Sequence, residues 1–199
     1  DGHGTPESVT SSSTSTVQNV NDAATVAISG TAAEDEILTA VVTDEDGSSG
    51  TITYTWSNGD TGSTTTLGQS DVGSAITVSV SFTDDYSNGE TATSSATSAV
   101  SNVNDSPTGS VTISGTAAED EVLTAADTLA DEDGLGTITY TWSNGDTGST
   151  TTLGQSDVGN TITVTASYTD AYSTAESSTS AATSSVSNVN DAPSITSTA

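Results

Sequence analysis

The acidic residues of this chain fall into short clusters that recur along its length. Asn-Val-Asn-Asp ends at Asp22, Asp105 and Asp191, Asp-Glu-Asp-Gly occupies 44–47 and 131–134, and Glu-Asp-Glu occupies 34–36 and 119–121. Oxygen-only clusters suit the coordination of a hard divalent cation. Calcium takes about six to eight oxygens from carboxylates, Asn side chains and backbone carbonyls. Paired carboxylates could instead hydrolyse glycosides, but that requires an acid of raised pKa in a cleft, about 5 to 10 Å from its partner. These acids repeat in turn-like segments, which fits architecture better than a unique active site.

The rest of the composition narrows the chemistry. Of 199 residues, 27 are Asp or Glu and none is Lys, Arg or Cys, giving a formal net charge of -27. Without Lys or Arg the chain cannot grip phosphates, so nucleic acids and anionic membrane surfaces are excluded as partners. Without Cys there is no disulfide, thiolate nucleophile or zinc-thiolate site. His3 has no counterpart in the later copies, where Tyr86 and Tyr172 stand in its place, and reads as an incidental surface residue. A hydrophobic share of 31% with high charge would ordinarily suggest disorder. The 41 Thr and 35 Ser argue otherwise, because Thr is a strand former and Pro occurs only three times. No run approaches the roughly 20 apolar residues of a membrane span. Asp1 does not begin a signal peptide, so the chain reads as a mature or internal fragment.

Two near-copies organise the sequence. Residues 50–73 recur without change as 136–159, and the three Asn-Val-Asn-Asp motifs are 83 and 86 residues apart. Aligned backward from those motifs, Asp1 matches Asp84 and Asp170, and Glu7 matches Glu90 and Glu176. The expected division is therefore 1–21 as the last strand of a preceding repeat, 22–104 and 105–190 as two full repeats, and 191–199 as the start of a following one. Within a repeat, Ile52, Tyr54 and Trp56 alternate with threonines, as do Ile76, Val78, Val80 and Phe82 with Thr77, Ser79 and Ser81. This period-two pattern, with further strands expected at 25–29, 36–42, 63–67 and 90–100, predicts antiparallel strands with one face on a core. The fold class is all-β: tandem immunoglobulin-like antiparallel sandwiches in a linear array, each with an inward Trp on its third strand.

In an immunoglobulin strand order every loop belongs to one of two poles, which places the acids. The N-terminal pole of the first repeat holds Asp22, Asp44, Asp46 and Asp84; its C-terminal pole holds Glu34, Glu36 and Asp71. In the second repeat Asp105, Asp131, Glu132, Asp133 and Asp170 lie at one pole. Glu119, Glu121 and Asp157 lie at the other, beside Asn188, Asn190 and Asp191 of the next linker. For the junction between repeats the expected calcium ligands are Glu34, Glu36, Asp71, Asn102, Asn104, Asp105, Asp131, Asp133 and Asp170. Asp60 and Asp146 in Ser-Asn-Gly-Asp read as turn chemistry, whereas Asp71 and Asp157 suit a turn cap as well as a ligand. Stacked without counterions such poles repel each other, and bound calcium reverses the sign.

At residues 102–105, 131–134, 138–142, 153–159 and 162–170 the sequence resembles the tandem immunoglobulin-like or cadherin-like repeats of giant bacterial surface adhesins. In that family Asn-Val-Asn-Asp-Ala-Pro is a recurrent linker, matched at 188–193; the first linker departs with Ala24, and the second continues Ser106-Pro107. Cadherins similarly hold calcium between domains with a linker Asn-Asp, an Asp-x-Asp loop and an upstream Glu motif, which implies Asn104 with Asp105, Asp131 with Asp133, and Glu34 with Glu36. The glycine-rich calcium nonapeptides found near the C-termini of many such adhesins are absent.

The resemblance implies a non-enzymatic, calcium-rigidified spacer on a bacterial cell surface, supporting adhesion or biofilm, whose partners are its neighbouring repeats. A second reading is a self-assembling extracellular filament, in which residues 1–21 add as a strand to an identical subunit. The Thr-rich strand faces could suggest ice binding or O-glycosylation, but solvated strand faces explain Thr and Ser without charge better.

Overall fold

The computed structural model describes residues 4 and 8–192. Asp1, His3, Glu7 and Pro193, with most of the expected following repeat, lie outside the described residues. The chain divides into two compact units, residues 1–32, 36–67 and 74–100, and residues 33–35, 68–73 and 101–199. Two loops that are first-repeat in sequence thus group with the second unit.

The first unit contains β1 (Thr25–Ser29), β2 (Ile37–Thr43), β3 (Thr53–Trp56), β4 (Thr64–Thr66), β5 (Val78–Thr83) and β6 (Gly89–Thr93). They form two three-stranded antiparallel sheets, β1-β2-β4 and β3-β5-β6. The second unit repeats this with β7 (Val111–Ser114), β8 (Val122–Asp127), β9 (Thr139–Trp142), β10 (Thr150–Thr152), β11 (Val164–Thr169) and β12 (Ala175–Thr179), as β7-β8-β10 and β9-β11-β12. Sheets of first, second and fourth against third, fifth and sixth strands are the division of an immunoglobulin-type sandwich. Among the described residues no helix is long and apolar enough to cross a membrane.

Alternation sets the inward faces. Val78, Val80 and Phe82 of β5 are buried while Ser79, Ser81 and Thr83 are exposed. Trp56 and Trp142 are each 2% exposed, and their indole N–H groups donate to the Gly62 and Gly148 carbonyls at 2.9 Å. Around Trp142 pack Leu123, Leu153, Ile162, Val164 and Val186. Full burial of each such aliphatic side chain contributes about 1.5 to 3 kcal/mol, and a sandwich this small depends on them.

The strand expected over 90–100 ends at Thr93 as β6. Beyond it the Ser94 and Thr97 hydroxyls accept the N–H groups of Val78 and Ile76 at 3.0 Å, taking the places of ladder carbonyls. Residues 8–21 form no strand. Val17 is 91% exposed, whereas its counterparts Val100 and Val186 are 2% exposed; the segment has the sequence of a closing strand and no sheet among the described residues to close.

Candidate metal centre

The centre lies in the second unit, where residues 33–35, the 68–73 turn and the linker meet the Asp131–Gly134 loop. Asp35 takes a left-handed backbone (φ 63), unusual outside glycine, in a tight turn that separates a buried Glu34 from an exposed Glu36. Glu34, 2% exposed, donates its N–H to the Ser101 carbonyl at 2.9 Å, and its Oε2 accepts the Val103 N–H at 3.2 Å. The linker is thereby pinned beside the glutamate.

Asp105 follows in the linker, and its N–H donates to Asp133 Oδ2 at 2.7 Å. Asp133 is 1% exposed, and its own N–H donates to Asp131 Oδ1 at 2.9 Å. Asp131 Oδ2 accepts the Tyr168 hydroxyl. These bonds leave the carboxylates of Glu34, Asp105 and Glu132 facing one another, with one oxygen from each within 4.8 Å of the others. Oxygens sharing a calcium that sits 2.3 to 2.6 Å from each can be no more than about 5.2 Å apart, so this spacing fits a common ion. Bare, two unit charges about 4 Å apart repel by about 4 kcal/mol at an effective dielectric near 20.

The protonation equilibria carry the same strain. Burial pushes the Glu34 carboxyl above its usual range; the Val103 N–H opposes this, and the charges of Asp105, Asp133 and Asp35 add to it. Asp105 is raised too, by burial and then by Asp35, Asp133 and Asp131.

Gln69 reaches the same place from its 3-10 turn (Gln69–Asp71). With its amide nitrogen turned inward it donates to Glu34 Oε1 at 2.6 Å, Glu34 Oε2 at 3.1 Å and Asp133 Oδ1 at 3.3 Å. With its oxygen inward it adds a neutral ligand to an acceptor-only group, as a cation prefers. Asn104 Nδ2 donates to Glu176 Oε1 at 2.9 Å.

The first unit repeats part of this cage at its own N-terminal end. Asp22 N–H donates to Asp46 Oδ2 at 2.6 Å, Asp46 N–H to Asp44 Oδ1 at 2.8 Å, and Asn21 Nδ2 to Glu90 Oε1 at 2.8 Å. Asp84 Oδ1 accepts the N–H groups of Tyr86 and Asn88. Burial raises the Asp84 pKa, but the hydrogen bonds from the Asn88 side chain and from the backbone of Asn88, Tyr86 and Ser87 outweigh it and hold the carboxyl below its usual range. At the far end of the second unit, Glu119 Oε2 accepts the Val189 N–H at 3.1 Å, and Gln155 Nε2 donates to Asn188 Oδ1 at 3.4 Å, as Gln69 does to Asn102.

Other expected ligands stand elsewhere. Glu36 and Glu121 are exposed just before β2 and β8, apart from the triad. Asp71 and Asp157 accept the Gly68 and Gly154 N–H groups at 3.1 and 2.9 Å, capping their turns. Asn190 Nδ2 donates to the Asp191 carbonyl at 3.3 Å, and Asp191 is exposed. Asp60 and Asp146, expected as turn residues and not as ligands, accept the Thr65 and Thr151 hydroxyls at 2.5 Å. Glu132, Gln69, Glu90 and Glu176 were not among the expected ligands, although the two strand glutamates recur at one fixed distance before each linker.

No protein-family description and no curated protein matches the chain. Among solved structures it is similar to a 1.5-MDa bacterial ice-binding adhesin, at 18% identity and a TM-score of 0.34 over 84% of this chain and 66% of that one. It is also similar to a tetra-tandem repeat from the extending region of a large adhesion protein, at 21% identity and a TM-score of 0.25 over 79% of this chain and 48% of that one. This chain therefore spans less than two thirds of either. Both likenesses are distant.

Proposed function

We propose that the chain is a run of extracellular spacer repeats in which bound calcium fastens the linker, the Glu34 loop and the Gln69 turn to the sandwich that follows, stiffening the passage from repeat to repeat. The observation that carries this is the facing triad of Glu34, Asp105 and Glu132 in a chain with no Lys or Arg. Neutralisation there has to come from solution. Oxygen-only chemistry selects calcium over softer metals, and extracellular modules bind it at about 10⁻⁴ to 10⁻³ M. Projection of an adhesive domain from a bacterial surface, and biofilm support, are carried by the sequence resemblance.

Small-angle scattering of the whole chain in calcium and in chelator tests the reading. The expected result is a longer maximum dimension with calcium; identical curves would overturn it.

A further inference from the structure

The acid cages at the N-terminal ends of the two sandwiches share one plan but differ in where their hydrogen-bond donors stand. In each, the first Asp of the Asp-Glu-Asp-Gly loop spends Oδ1 on the N–H two residues on, Asp44 on Asp46 and Asp131 on Asp133. In each, the Asp after the fifth strand spends Oδ1 on two backbone N–H groups, Asp84 on Tyr86 and Asn88, and Asp170 on Tyr172 and Thr174. The four Oδ2 atoms remain.

Two substitutions decide their fate. In the first repeat Asn88 Nδ2 donates to Asp84 Oδ2 at 2.9 Å, while Asp44 Oδ2 is buried without a hydrogen-bond partner. In the second repeat Tyr168 hydroxyl donates to Asp131 Oδ2, and Asp170 Oδ2 is the buried atom without a partner. Phe82 holds the register position of Tyr168, opposite Glu90 as Tyr168 is opposite Glu176. Thr174 holds the position of Asn88, and each donates its N–H to the neighbouring Asp Oδ1 at 2.7 Å. One donor is gained and one lost between the copies, so each cage keeps one unmatched oxygen, on a different residue.

A buried polar atom without a partner is destabilising, and more so when charged. Asp170 is 7% exposed, and its turn is tied to the metal-centre loop by the Ala171 N–H to the Asp133 carbonyl at 3.2 Å. We infer that each cage directs its one buried, unmatched Asp oxygen at a divalent cation of calcium type, Asp44 Oδ2 in the first repeat and Asp170 Oδ2 in the second. Residues 82, 88, 168 and 174 make that choice. The inference deepens the cation-holding role proposed above and rests on it. The two repeats are then inequivalent sites despite their near-identity, and respond differently to loss of the same aligned residue.

The experiment is a calcium titration of the whole chain by NMR, following the amide signals of Gly47 and Gly134, which report the two cages separately. D44N is expected to weaken binding at Gly47 by about tenfold and D84N by less, whereas D170N weakens binding at Gly134 by about tenfold and D131N by less. F82Y supplies the missing donor to Asp44 and weakens the first site; Y168F frees Asp131 and does not weaken the second. These two exchanges import the other repeat's own residue, and unchanged tryptophan emission in chelator verifies folding. The same residue order in both repeats, or an F82Y titration identical to that of the parent chain, overturns the inference while leaving calcium binding intact. Absence of any calcium shift at either glycine in the parent chain overturns the underlying reading as well.

Discussion

Asp105 donates its backbone N–H to Asp133 Oδ2 at 2.7 Å, and the corresponding pair in the first repeat, Asp22 and Asp46, makes the same bond at 2.6 Å. The linker is therefore seated by its main chain. The Asp105 side chain is left over, and it points its charge at Glu34 and Glu132.

Replacing Glu34 by Gln keeps an oxygen for the Val103 N–H and removes one of the facing charges. In chelator Glu34→Gln should raise the stability of the second unit by about 1 kcal/mol, and with calcium it should reduce the gain that calcium gives. Thermal melts in the two buffers measure both effects. A variant less stable in chelator than the parent chain would contradict the repulsion described here.

Raised carboxyls and a lowered one predict opposite responses to acid. Glu34 and Asp105 hold protons more tightly when folded, so in chelator stability should rise as pH falls from neutrality into the upper carboxylate range. Asp84 behaves conversely: its stabilisation is present above the ordinary Asp value and is lost as pH falls through its lower folded value. Denaturant titrations across this range should show an acidic optimum, and calcium should abolish the rise on its neutral side.

Tyr140 donates its hydroxyl to Asp127, and that bond, with burial and the negative charge adding to it, pushes the phenol up to about 12. The first repeat has Val42 at the aligned position. Asp127→Val should bring the Tyr140 phenol back toward its ordinary range, read by ultraviolet titration of phenolate, and cost about 1 kcal/mol. An unchanged titration curve would refute the assignment.

Ser180 accepts the Val164 N–H at 3.1 Å in the buried interior. Ser180→Ala strands that donor and should cost about 1 to 3 kcal/mol. Denaturant unfolding of the second sandwich tests it.

Much of the fold was legible because alternation is a direct readout of which face meets the core. The run from Val78 to Phe82 and the inward Trp56 stand where the period places them. The end of β6 was not legible, since Ser94 and Thr97 read as solvent-facing residues and a hydroxyl standing in for a carbonyl leaves no periodic trace. In the candidate centre, motif spacing names Glu34, Asp105 and Asp133, which the structure brings into one loop cluster. It names Glu36 beside them, and spacing does not reveal the left-handed turn at Asp35 after which Glu36 is exposed. Glu90 and Glu176 lie within hydroxyl-rich strands, yet each accepts a hydrogen bond from a linker asparagine nearly a full repeat earlier.

β3 and β9 are the same four residues inside a 24-residue identity, and they meet β5 and β11 in one register, Trp56 opposite Val78 and Trp142 opposite Val164. Local pairing therefore cannot tell a strand's own partner from its neighbour's. An exchange of strands between adjacent repeats would form the same hydrogen bonds with the wrong connectivity, the characteristic misassembly of tandem domains. Correct assembly is then a matter of timing: each sandwich has to close before its twin unfolds or emerges, and refolding from the fully denatured chain should be slower and less complete than refolding of either repeat alone.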